Sequence, residues 1–215
     1  MEKLDDFTLN IEFLLISVVQ GVALAALATQ AAVTIGDLSW MYFPYVIASF
    51  LIILSFWSEA IIHAISFIDW PLDLLHSFMY FLASFIEVMA FTHVENPLAW
   101  FGFMSGFFIV AVGSYYVDLK MIRDRKNKFK TKEEVALYGH ILNRQRYQIR
   151  FILPSATIFC ISSFFAILFN ENLFITHHWN LLLISIQMIM GFVILGESMK
   201  NFSKRTKLVA AARGK

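Results

Sequence analysis

The chain has 215 residues, of which 59% are apolar and 15% charged, with a mean hydropathy of +0.66. That much apolar surface exceeds what one water-soluble core of this size can hide, which excludes an ordinary soluble domain. The formal charge of +1 conceals a sharp segregation of sign along the chain, and the single cysteine, Cys160, excludes an intramolecular disulfide and a Cys-based zinc site.

A helix needs about 20 apolar residues to cross a hydrocarbon core of about 30 Å, and six such runs occur. Met1 to Asn10 carries Glu2, Asp5 and Asp6 against Lys3 alone, unlike the basic start of a secretory signal, so the first run, Phe13 to Ile35, reads as a retained span. The second runs from Tyr42 to Phe67, and the third from Pro71 to Thr92 with its proline suited to a first turn. Asn96 and Pro97 mark a turn before the fourth, Leu98 to Val117, which contains Gly102 and Gly106 at GxxxG spacing. That spacing suits close helix packing, either between subunits of a homo-oligomer or inside one chain.

Between spans four and five lies the one long polar stretch. Thr131 and Glu134 have the spacing of a capping box, so a helix is predicted to start there, with Val135, Tyr138, Leu142 and Gln145 on one face, and to run on into span five as an extension. The fifth span is Phe151 to Phe169 and the sixth Trp179 to Gly196.

Orientation follows from charge, because cytoplasmic flanks are enriched in Lys and Arg. With six spans all 17 Lys and Arg residues fall on one side: Lys3, the 120–150 segment and the 200–215 tail. The expectation is an all-α polytopic protein, one transmembrane domain over residues 1–215, with both termini cytoplasmic. The basic 120–150 loop or helix and the basic tail would face the cytoplasm of a bacterium, the cytoplasmic (inner) membrane being the first guess. Such a basic segment is attracted to anionic lipid, or docks a soluble acidic partner or nucleotide. Topology accounts for its charge, so no nucleic-acid partner is expected. Trp40, Trp70, Trp100 and Trp179 lie near predicted interfaces and read as an aromatic belt.

Ionisable groups within spans are costly and therefore candidates for function. Glu59 and His63 are four apart on span two, and His76 lies three residues after Asp73 at the start of span three, so each pair shares a helix face. Joined by the short turn at Ile68, Asp69 and Trp70, spans two and three should pack as antiparallel neighbours and bring the two pairs together. Glu87 lies three helical turns beyond His76 on the same face. Glu12 and Glu197, at the inner ends of spans one and six, would extend the acidic set or pair with nearby Lys.

Three function classes follow. The first is a small oligomeric channel or transporter-like protein for cations or protons. Its inner vestibule would be formed by Glu59, His63, Asp69, Asp73 and His76, with Glu87 as gate, selectivity ring or proton-exchanging group. The second is a metal-dependent membrane hydrolase or oxidoreductase, with Glu59, His63, Asp73 and His76 as ligands, or His63 and His76 as haem ligands. The third is a membrane subunit that docks a soluble cytoplasmic partner on the 120–150 segment. No HExxH, P-loop or GxGxxG motif occurs, so neither a known zinc hydrolase pattern nor an energised pump is written into the chain.

Overall fold

The computed structural model describes residues 2–66 and 74–212, and its regular structure is helical. Seven α-helices follow in chain order: α1 (Glu2–Gly36), α2 (Phe43–Ser66), α3 (Leu74–Phe91), α4 (Pro97–Asp124), α5 (Lys132–Tyr147), α6 (Leu153–Phe169) and α7 (Asn180–Ala212). Six helical segments are long and apolar enough to cross a membrane, the fifth being α5 and α6 joined through a π-helical turn, Gln148–Ile152. Their exteriors carry Val18, Phe85, Ile158, Phe192 and other exposed large apolar side chains, a surface suited to lipid.

Local chemistry sets the helix starts. Asn96 accepts the Ala99 amide at 3.0 Å, and Pro97 occupies the first turn, where its missing N–H costs nothing. The predicted capping box opens α5: Thr131 accepts the Glu134 amide at 3.2 Å, and the Glu134 carboxylate accepts the Thr131 amide at 3.0 Å.

Of the predicted face of α5, Gln145 is buried and Tyr138 and Leu142 are packed inward, while Val135 is exposed; Leu137, Ile141 and Arg144 are buried beside them. Leu137 and Ile141 pack with Ile122 of α4 and with Leu208 and Val209 of α7, so the ends of α4 and α7 and the whole of α5 make a second, smaller core. The end of the bundle that carries this core also carries the Lys and Arg residues and is called the basic end below.

Helix neighbours also depart from expectation. Among the described residues α2 packs chiefly on α1 and α7, α3 on α1 and α4, and α6 on α4. The tight α2–α3 hairpin inferred from the short connection is therefore not the main pairing; the two helices meet through Phe56 and Tyr80, stacked with centroids 5.0 Å apart. Apolar burial with several neighbours outweighs the proximity that a short connection provides.

The small residues are used inside the chain. A methyl group on Gly102 would come within 3.2 Å of the Phe164 ring of α6, and one on Gly106 would sit 3.6 Å from Ile86 of α3. Both GxxxG positions thus serve packing within one chain, and Gly191 does the same where α7 meets Leu51 of α2 at 3.2 Å. Trp100 does not belong to an aromatic belt: it is fully buried and donates its indole N–H to Gln187 Oε1 at 3.1 Å. Trp40 and Trp179 are exposed near helix ends, as a belt requires, and Trp70 lies outside the described residues.

Candidate functional site

Glu59 and His63 lie one turn apart on α2, near its basic end. His76 sits in the first turn of α3, and its face of that helix continues through Tyr80 and Ser84 to Glu87. Asp69 and Asp73 lie outside the described residues. The Glu12 side chain lies outside them as well.

The two histidines meet, but through a third helix. Asp118 of α4, 3% exposed, accepts from or shares a proton with His76 Nδ1 at 2.7 Å through Oδ1, and its Oδ2 lies 3.4 Å from His63 Nε2. One carboxylate thus gathers two imidazoles from neighbouring helices. Asp118 was not among the predicted site residues, because it falls just beyond the apolar run of span four and reads there as a flank. The available signal was its spacing, three residues after Tyr115, whose ring also stands edge-on to His63 at 6.1 Å.

Glu59 has a different set of partners. It accepts from Arg144 Nη2 of α5 at 3.3 Å and from the Ser198 hydroxyl of α7. Arg144 Nη1 reaches Glu197 of α7 at 3.2 Å, so one guanidinium bridges two carboxylates on two helices, a geometry for which its planar fork is suited. The next residue of α5, Gln145, donates to the Tyr115 carbonyl at 2.9 Å. Arg205 of α7, 2% exposed, donates to the Ile62 carbonyl of α2 at 3.3 Å. Two cations that sequence reasoning assigned to topology are thus buried inside the protein, where their charge offsets that of Glu59 and Glu197.

Glu87 stands apart from this balanced network. Its side chain has no measurable exposure, and its polar contact is the Gln20 amide of α1 at 3.4 Å. No ion pair reaches it among the described residues, and its second oxygen has no hydrogen-bond partner there. Tyr80 lies seven residues before Glu87, about two helical turns away on the same face of α3. A cavity of about 80 Å³ lies beside the histidine cluster, with Glu59, His63, Asp118, His76 and Tyr80 in its otherwise mainly apolar wall.

The chain matches no family model, no curated protein and no solved structure.

The remaining candidate chemistries can be weighed on this geometry. Among the described residues, no group of three or more His, Cys, Asp or Glu side chains is arranged to hold a metal ion. Glu59, one of the expected ligands, is taken up by Arg144 and Ser198. His63 and His76 converge on the two oxygens of one carboxylate, so a haem between them would have to displace Asp118. An imidazole pair sharing a buried carboxylate is well suited to another task, holding and passing a proton, since each ring has two nitrogens and changes its charge near neutral pH in its ordinary state.

Proposed function

We propose that this chain is a multi-pass transporter-like protein of the bacterial cytoplasmic membrane that carries protons along a polar line inside one chain. The line starts at the His63, Asp118 and His76 cluster, passes the Tyr80 hydroxyl, and reaches Gln20 and Glu87. The observation that carries this reading is Glu87, a fully buried carboxyl group with, among the described residues, an amide and no cation as its polar contact. An isolated carboxylate in low dielectric costs far more than a carboxylic acid, so such a group is kept where its proton can come and go. His76 and Glu87 are eleven residues apart on one face of α3, about 16 Å along the axis, which covers about half of the hydrocarbon thickness.

Glu59, in this reading, is a strut that holds α5 and α7 to α2 through Arg144, not a proton carrier. No ring of Glu87 residues from several subunits is needed, because Glu87 faces α1 of its own chain. Wild-type protein in liposomes loaded with a pH-sensitive dye should acidify or alkalinise the lumen under an imposed potassium diffusion potential. Asp118→Asn should slow this by about a hundredfold or more, the low end for a positioned proton-transfer group. Vesicles with wild-type protein that behave as empty liposomes would remove the proton reading.

Both termini, the α5 segment and the basic end belong on the cytoplasmic side in this proposal, from the segregation of Lys and Arg. A membrane-impermeant amine reagent should therefore modify Lys126 and Lys130 in inverted vesicles and spare them in intact cells. The reverse pattern would invert the orientation.

A further inference from the structure

Three arginines lie on the stretch that leads from α5 into the fifth span, and they divide by direction. Arg144 is buried and bridges Glu59 and Glu197, while Arg146 and Arg150 are exposed. The exposed two are four residues apart, about one helical turn, so their guanidiniums can close on one group. Neither forms an ion pair among the described residues. The sequence places no acid near them along the helix either, since no Asp or Glu occurs between Glu134 and Glu171. A guanidinium presents its N–H donors as a planar fork that fits a phosphate, and two of them side by side without a counter-charge call for an anion from outside the chain.

The apolar neighbours indicate where that anion comes from. Tyr147 and Phe151, each next in sequence to one of the arginines, are exposed, with their rings 5.5 Å apart. Ile158 and Phe165 follow at steps of seven residues and are exposed as well. Steps of four and seven keep to one side of a helix, so the cations give way to an apolar stripe that continues along α6. That helix belongs to a segment long and apolar enough to cross a membrane. The stripe therefore lies among acyl chains and the arginines at the level of the headgroups.

An acidic protein or a nucleotide would match the charge but leave Phe151 and Ile158 without a partner. A phospholipid matches both parts of the surface. A zwitterionic headgroup brings an ammonium of its own towards the two guanidiniums, so a headgroup of net negative charge is the better fit.

We infer that Arg146 and Arg150 form a binding site for one anionic phospholipid, its phosphate held between the two guanidiniums and an acyl chain lying on Phe151, Ile158 and Phe165. The site is separate from the proton line and does not depend on it.

Full-length protein in a mild non-ionic detergent is titrated with phosphatidylglycerol or phosphatidylcholine, and retained lipid is counted by native mass spectrometry. The wild type should bind its first phosphatidylglycerol about thirtyfold more tightly than phosphatidylcholine, the factor that two basic residues at a membrane surface supply. Arg146→Gln with Arg150→Gln should bring the two lipids level, and either change alone should cost about fivefold. Lys126→Gln with Lys130→Gln removes the same charge from exposed positions outside the stripe and should leave the preference intact. All four side chains are exposed, so thermal unfolding followed by helical circular dichroism should match the wild type. Equal affinity of the wild type for the two lipids would overturn the site without reference to any variant. Equal losses in the arginine and lysine pairs would also overturn it, because the attraction would then belong to the basic end as a whole. Glycerol phosphate at the concentration of the lipid should displace none of it; displacement would overturn the role given to the apolar stripe.

Discussion

Arg144→Ala is expected to destabilise the protein by about 3–5 kcal/mol, the range for removing one partner of a buried ion pair. The arginine leaves, but the Glu59 carboxylate remains buried, with the Ser198 hydroxyl still donating to it. Glu197 is a smaller part of the effect, because its side chain is 42% exposed and water replaces the guanidinium there. Glu197→Ala should accordingly change stability by less than about 1 kcal/mol. Arg144→Lys should recover only part of the loss, since a single ammonium cannot serve Glu59 and Glu197 together with a flat two-pronged contact. Thermal unfolding in mild detergent, followed by helical circular dichroism, measures all three variants. The combination Glu59→Gln with Arg144→Met should be more stable than Arg144→Ala alone, because neither charge is then left unpaired. An Arg144→Ala protein that unfolds at the wild-type temperature would show that the bridge across α2, α5 and α7 holds nothing together.

Glu87→Gln should have the opposite signature, with transport lost and stability kept. Glutamine has nearly the same shape, can still meet the Gln20 amide, and removes no ion pair, because none is formed at Glu87 among the described residues. Unfolding temperature should stay at or above that of the wild type. Dye-reported proton flux, by contrast, should fall by about two orders of magnitude, as expected when a positioned proton-transfer group is replaced by one that cannot titrate. Glu87→Leu should lose flux to the same degree but also strand the Gln20 amide, at about 1–3 kcal/mol for an unsatisfied buried donor. Retained flux in Glu87→Gln would take Glu87 out of the pathway. A protein that fails to fold as Glu87→Gln would make the carboxyl group structural.

The contrast between these two residues explains how much of the site was legible beforehand. Glu87 and Glu59 stand out as acids inside apolar runs, which is a property of the local window. Arg144 does not, because it sits in a polar segment, and its inward orientation depends on the rotation of α5. The inward side is wider than the predicted face: Leu137 and Ile141 are buried beside Tyr138, Leu142 and Gln145. Arg144 belongs to that added side and reaches the Glu59 carboxylate. Asp118 was hidden for a related reason, since it follows the apolar run directly and only the continuation of α4 to Asp124, packed against its neighbours, buries it. Trp100 and the Gly102–Gly106 pair were recognised as distinctive residue types, but their partners, Gln187, Phe164 and Ile86, lie on helices that no spacing along the chain points to.

By itself the sequence determined the six long apolar helices, the capped starts of α4 and α5, and the confinement of basic residues to one end. Those features depend on hydropathy and hydrogen bonding within a few consecutive residues, which are the same whatever packs alongside. Only the tertiary structure decided which helices are neighbours, that α3 lies with α1 and α4 more than with α2, and that Asp118 joins His63 to His76. Apolar helices in a bilayer are nearly equivalent to one another as packing partners. Their choice is settled by shape, close contacts at small residues and the pairing of a few buried polar groups, each of which joins positions distant in the chain.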